Sequence, residues 1–154
     1  MKLSSSDIRA RFKEKGLKVT PQRSAIYQAL AETTAHPTAE ILFSHVKETF
    51  PTMSLNTVYY TLSVLCRSNL AKEVNYWHDR ARYDANVHPH HHLICVGCRT
   101  IQDLKDSELD TISSPHIPKN FSVLGHQVEF HGYCATCQKR RPHADESIIS
   151  HNHN

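Results

Sequence analysis

Apolar residues recur at helical spacing through the first 70 residues, then change to an extended, strand-like spacing. Ser6-Asp7 can cap a first helix that sets Ile8 and Phe12 on one face and stops at Gly16. Thr20-Pro21 offers a cap followed by proline at the first helical position, with Ala25, Ile26 and Leu30 as the apolar stripe of a second helix. Thr38 opens a third, carrying Ile41, Leu42, His45 and Val46 and closed by Phe50-Pro51. Ser54 opens a fourth, SLNTVYYTLSVLCRSN, whose Val58, Leu62 and Leu65 face inward. That leaves Asn56, Thr57, Tyr59, Tyr60, Ser63 and Arg67 on its other faces. Residues 70–76 read as a strand, 77–81 as a polar turn and Arg82-Tyr83-Asp84 as the returning strand. Helices followed by such a hairpin predict a winged helix-turn-helix, with the fourth helix entering the DNA major groove. A generic helical bundle is the plainer reading of the same pattern.

Residues 84–89 read as a hinge. Beyond them, 92–96 and 100–104 look like strands flanking a turn, 106–114 a short helix, and 121–133 a long strand. The predicted fold class is α+β. A winged-helix DNA-binding domain (1–83) is followed by the hinge and a small α/β dimerisation and metal-binding domain (90–140). Short strands with open edges readily pair across a two-fold axis, which predicts a homodimer. The polar, histidine-containing tail 141–154 is expected to be disordered; its His143, His151 and His153 read as a tail with no defined role, with loose metal binding as the alternative.

Charge sharpens this division. Residues 1–80 hold 11 Lys and Arg against 7 Asp and Glu, while residues 81–154 hold 7 against 8. Ten of the 13 histidines fall after residue 80. A basic front half and a histidine-rich back half suit a nucleic-acid module joined to a metal module. No apolar run reaches membrane-spanning length and the N-terminus lacks the apolar stretch of a signal peptide, so no membrane partner is expected. Five cysteines, four of them in metal spacing, point to the reducing cytoplasm rather than a disulfide framework. Cys66 falls in the apolar helical pattern and reads as a small core residue.

The four are Cys95-x-x-Cys98 and Cys134-x-x-Cys137, separated by 35 residues. Two such pairs complete a tetrahedral thiolate site for structural Zn(II) and would tie together parts of a domain; a redox C-x-x-C is the competing reading. A second constellation is of a different kind. His90-x-His92 on an extended segment sets two imidazoles on one side, with His91 opposite. Asp84 lies just upstream and Asp103 just beyond the first cysteine pair. Nitrogen and oxygen ligands fit Fe(II), Mn(II) or Zn(II) better than an all-sulfur site does.

These residues resemble the ferric uptake regulator (Fur) family over residues 7 to 140. The resemblance rests on Val19-Thr20-Pro21-Gln22-Arg23, His36-Pro37-Thr38-Ala39, Ser54-x-x-Thr57-Val58-Tyr59-x-x-Leu62, His90-x-His92-x-x-Cys95-x-x-Cys98 and Gly132-x-Cys134-x-x-Cys137. It implies a homodimeric, metal-dependent repressor that binds double-stranded operator DNA. Within the family the chain resembles the peroxide-responsive (PerR-like) branch. That implies a regulatory site for Fe(II) or Mn(II) at His36, Asp84, His90, His92 and Asp103, with His36 and His90 sensitive to oxidation. Asp103 and Asp84 match this branch, where iron sensors generally carry glutamate. Candidate DNA contacts are Lys18, Arg23, Ser54, Asn56, Thr57, Tyr59 and Tyr60. His91, Asp110 and His126 form a candidate additional metal site.

Two departures stand out. Arg99 replaces the glycine that usually follows the second cysteine, and Tyr60 replaces the arginine or asparagine of relatives. An iron- or zinc-responsive repressor without peroxide chemistry is the main alternative. A haem-sensing relative would share the triple histidine, and an oxygenase built on histidine and carboxylate ligands is the reading from another class.

Overall fold

The computed structural model describes residues 3–74 and 81–140. Four helices open the chain: α1 (Ser5–Glu14), α2 (Pro21–Ala31), α3 (Ala39–Lys47) and α4 (Leu55–Arg67). Strands β1 (Lys72–Val74) and β2 (Arg82–Asp84) follow as an antiparallel pair. Then come β3 (His91–Cys95), β4 (Ile101–Leu104), a 3-10 turn at Leu109–Thr111, β5 (Glu129–Gly132) and α5 (Ala135–Lys139).

Local chemistry sets the helix boundaries. Thr20, Thr38 and Ser54 each accept a backbone N–H from the third residue onward, and Pro21 begins α2. The first cap lies earlier than Ser6-Asp7. Ser4 accepts from the Asp7 N–H while the Asp7 carboxylate accepts from the Ser4 N–H, a reciprocal capping box. Helix α4 ends on Asn69, whose φ of +54° is tolerated by its short polar side chain, and the Leu70 N–H folds back to the Leu65 carbonyl.

The helices bury one apolar cluster. Ile8 and Phe12 from α1, Ile26, Tyr27 and Leu30 from α2, Leu42 and Val46 from α3, and Val58, Leu62 and Leu65 from α4 all enter it, closed by Tyr83 of β2. Ile41 does not, being 56% exposed: Ala39, Leu42 and Val46 supply the buried face of α3, one position round from the expected stripe.

The second half is a three-stranded sheet ordered β4-β3-β5, with β3–β4 antiparallel and β3–β5 parallel. The two strands about the first cysteine pair are present. The expected helix at 106–114 reduces to the turn at Leu109–Thr111, and the expected strand at 121–133 to Glu129–Gly132. Only these last four residues find a ladder partner in β3, whereas Phe121, Val123 and Leu124 remain exposed. Ile94 and Ile101 are the fully buried aliphatic side chains of this sheet, and no apolar side chain is buried among described residues 102–140. The sheet has almost no core of its own. The expected turn at 77–81 falls mostly, and the tail at 141–154 entirely, outside the described residues.

Candidate metal centre

Antiparallel pairing sets His92 of β3 directly opposite Asp103 of β4, so both side chains share one face. His90 stands one step before β3, on the same side as His92. Asp84 ends β2, and His36 approaches from the loop before α3. One ligand atom from each of the five lies within 4.8 Å of all the others. His90 Nε2 is 3.1 Å from Asp84 Oδ2 and 3.3 Å from Asp103 Oδ1. His36 Nε2 is 3.4 Å from the same Asp84 oxygen and 3.3 Å from the same Asp103 oxygen. His92 Nε2 lies 3.8 Å from Asp103 Oδ1.

The cluster is deeply set, with the His36 and His92 side chains almost wholly buried. His36 Nδ1 and Nε2, Asp84 Oδ2, His90 Nε2 and Asp103 Oδ1 are all shut from solvent without a hydrogen bond of good geometry. Buried polar atoms normally find partners, and a convergent set lacking them is what a bound divalent cation would satisfy. Burial pushes the His92 imidazole down to about 4, aided by His90 and His36, so its lone pair is available to a metal. The Asp84 carboxyl is raised by burial, yet the imidazoles of His36 and His90 and the Asn86 N–H hold it below the usual carboxylate range. Asp84 in turn raises His90 against the opposing effect of burial. His90 Nδ1 lies 2.8 Å from the His88 carbonyl, to which it can donate, leaving Nε2 to the cluster.

His36 adopts φ +48°, a left-handed conformation rare for such a residue and held by its surroundings. Arg82 Nη1 donates to its carbonyl at 3.1 Å, the Tyr83 N–H donates to the Pro37 carbonyl at 3.0 Å, and Thr38 bridges to Arg82. The loop carrying His36 is thereby sewn to the strand carrying Asp84.

The four cysteines form a second cluster, with Cys98 Sγ 3.7 Å from Cys134 Sγ. Zinc–sulfur bonds of about 2.3 Å in a tetrahedron place sulfurs about 3.8 Å apart, so the spacing fits zinc. N–H groups of Cys134 and Cys98 point at Cys95 Sγ and bring its thiol down to about 6. Cys137 is pushed up to about 12, first by the hydrogen bond its thiol makes with Cys134, then by burial and by hydrogen bonds with Cys95 and Cys98, all of which favour the protonated thiol. Gly97 makes room: a Cβ there would sit 3.0 Å from Cys137 Sγ. Arg99, in the place of the usual glycine, is forced to φ +60°. Cys66 is half-buried against the helical core, and burial raises its thiol.

The remaining candidates are placed differently. His91 Nδ1 accepts the Val128 N–H and its Nε2 faces Asp110 at 3.1 Å, while His126 Nε2 faces the Leu109 carbonyl. A hydrogen bond joins His91 to Asp110, His126 meets His91 only through a tilted ring contact with centroids 5.6 Å apart, and His91 has both nitrogens engaged. Lys18, Ser54, Asn56, Tyr59 and Tyr60 are exposed, with Thr57 half-buried. Ser54 and Thr57 pair with each other as the cap of α4, and the Tyr59 hydroxyl donates to Glu40 Oε1 at 2.6 Å. Arg23 spends Nη1 on the Lys18 carbonyl at 2.6 Å. Sequence reasoning passed over Lys72, Arg82 and Gln127, all in contact with the ligands.

The Ferric uptake regulator family profile matches residues 14–131. The chain belongs to the ferric uptake regulator family. It is 38% identical over 134 residues to the peroxide operon regulator of Bacillus subtilis, covering 86% of this chain and 92% of that protein. It is 34% identical to the peroxide-responsive repressor PerR of Staphylococcus aureus, covering 85% and 89%. The fold aligns with the ferric uptake regulator of Helicobacter pylori at a TM-score of 0.73 and 22% identity, over 95% of this chain and 98% of that one. The family is one of transcription regulators and not of enzymes, so the oxygenase reading falls. No described helix is long and apolar enough to cross a membrane.

Proposed function

We propose that this protein is a metal-dependent transcriptional repressor that senses hydrogen peroxide, binding double-stranded operator DNA as a homodimer in the cytoplasm. In this reading His36, Asp84, His90, His92 and Asp103 hold Fe(II) or Mn(II), and Cys95, Cys98, Cys134 and Cys137 hold a structural zinc. The observation that carries it is the convergence of five nitrogen and oxygen atoms within 4.8 Å, from segments on both sides of residues 85–89. His36 and Asp84 belong to the helical half and its hairpin; His90, His92 and Asp103 belong to the sheet. A cation held by both sets stabilises the one arrangement of the two halves in which it is bound, and so selects one presentation of α4. Residues 1–83 act as the DNA-binding unit and 90–140 as the dimerising one.

Fe(II), when bound, would open the peroxide O–O bond by passing one electron to it and would regain an electron as the ring is oxidised, so that peroxide is the net oxidant. His36 and His90 present imidazole carbons beside that chemistry. In the net change one peroxide oxygen is added to a ring carbon and the other leaves as water. The oxidised ring is a poorer ligand, the halves are released from each other, and α4 leaves the groove. Both relatives compared above, at 38% and 34% identity, are named for the peroxide response, which supports this branch.

The test is a DNA-shift assay with Fe(II) and with Mn(II), each with and without peroxide, followed by peptide mass spectrometry. Release in the iron sample alone is expected, with an added oxygen on the peptide carrying His36 or that carrying His90. Peroxide-insensitive binding under Fe(II), with no oxygen added, defeats the peroxide reading and leaves an iron-responsive repressor.

A further inference from the structure

Lys72 is the cation nearest this cluster among the described ion pairs, and as an ammonium it is not itself a ligand. The β1–β2 ladder pairs Lys72 directly with Asp84, so the two side chains leave the hairpin on one face. The Lys72 ammonium lies 3.6 Å from Asp84 Oδ2 and 3.4 Å from His90 Nδ1. That Asp84 oxygen is the one facing His36 and His90 across the ligand cluster. The lysine charge and a bound divalent ion would therefore share a single oxygen. The Lys72 side chain is only 26% exposed, so water screens the resulting repulsion incompletely.

We propose that Lys72 is an affinity-setting residue, whose ammonium competes for Asp84 and holds the regulatory site weaker for divalent cations than its five ligands alone would make it. The inference rests on reading this cluster as the regulatory metal site. In the metal-free protein Lys72 partly neutralises Asp84 and compensates a buried carboxylate beside Asp103. When a cation enters, that compensation turns into repulsion between like charges. The site can then load and unload with the free metal concentration instead of trapping an ion permanently, as a sensor requires and a structural site does not. The cross-strand register makes the arrangement hard to escape, because Lys72 cannot turn to the other face without slipping the hairpin by one residue.

The test is a Mn(II) titration of full-length, zinc-loaded protein, with free Mn(II) read by electron paramagnetic resonance. Wild type should bind one equivalent that His90→Ala loses; failure of this control would overturn the reading of the cluster itself. Given that control, Lys72→Met and Lys72→Gln should bind Mn(II) about tenfold tighter, equivalent to about 1.4 kcal/mol. Lys72→Arg, which keeps the charge, should stay within about threefold of wild type. A purely structural role for Lys72 predicts weaker binding in both neutral variants and no such rescue. The rise in melting temperature on adding Mn(II) should also be larger for Lys72→Gln than for wild type. Unchanged or weakened affinity in either folded neutral variant overturns the proposal.

Discussion

Replacing Cys134 by serine should unfold the sheet half of the molecule and leave the helical half standing. Ile94 and Ile101, at 2% and 0% exposure, are its two deeply buried aliphatic side chains. At about 1.5–3 kcal/mol each, they contribute about 3–6 kcal/mol. Ligation of a structural zinc is worth about 10–16 kcal/mol in small metal-folded domains, so even half of that loss is comparable to the whole aliphatic term. The helical half has no such dependence, since its cluster joins Ile8, Phe12, Ile26, Tyr27, Leu30, Leu62 and Leu65 at 1% exposure or less. The assay is limited proteolysis with cleavage sites mapped by mass spectrometry, alongside zinc content and far-ultraviolet circular dichroism. Cys134→Ser should lose zinc, become cleavable between residues 102 and 133, and keep its helical signal. A variant that loses zinc yet resists protease in that segment as wild type does would show that the sheet is held by something else. The obvious rival is a second copy covering Leu93, Val96 and Phe130, which are 40%, 42% and 49% exposed. Repeating the digestion across a dilution series separates that contribution.

Arg99→Gly should stabilise the zinc-bound protein. Relief of the φ +60° conformation is worth roughly 1–2 kcal/mol and the added chain entropy of glycine costs roughly 0.5–1, leaving a melting-temperature gain of about 2–4 °C. A fall on calorimetry would show that the Arg99 side chain contributes more than its backbone strain costs. Asp103→Glu lengthens by one methylene an arm whose Oδ1 lies 3.3 Å from both His36 and His90. Metal-dependent DNA binding should survive, while oxygen addition under Fe(II) and peroxide slows by about tenfold or more, as small misplacements at a reacting centre do. An unchanged oxidation rate by mass spectrometry would remove Asp103 from that role.

What could be read from the chain follows the range of the interactions involved. Thr20-Pro21, Thr38 and Ser54 act within one helical turn, and each begins a helix where its residue type says it should. Ile41 faces solvent against the apolar pattern because a residue at the edge of a stripe can face either way, and only the packing of α3 against α2 and α4 decides. The strand is shorter than the pattern at 121–133 suggests because β-propensity cannot tell whether a partner strand exists, and β3 offers one only to Glu129–Gly132. The two C-x-x-C pairs were legible because their spacing is itself the signal. His36 carries no such signal: it is a lone histidine far along the chain from the other four ligands, and only the family resemblance singled it out. Lys72 was knowable in principle, as the residue that a correctly registered hairpin sets against Asp84.

The two metal clusters share one piece of secondary structure, and this makes them unequal. Cys95 ends β3 and Cys98 lies in the turn to β4, so zinc held there would close the hairpin whose register sets His92 opposite Asp103. A slip of one residue would turn Asp103 to the opposite face and scatter three of the five ligands. The dependence runs one way. His36 and Asp84 lie on the helical half, beyond the reach of the thiolates, and losing the cation between them leaves the β3–β4 hairpin intact. Cys134→Ser should therefore abolish Mn(II) binding as well as zinc binding. His90→Ala should abolish only the former, with zinc content and the β-sheet unchanged. Retention of stoichiometric Mn(II) by zinc-free Cys134→Ser would show that the ladder holds its own register. A permanent site that never responds can in this way be a precondition for a neighbouring one that does.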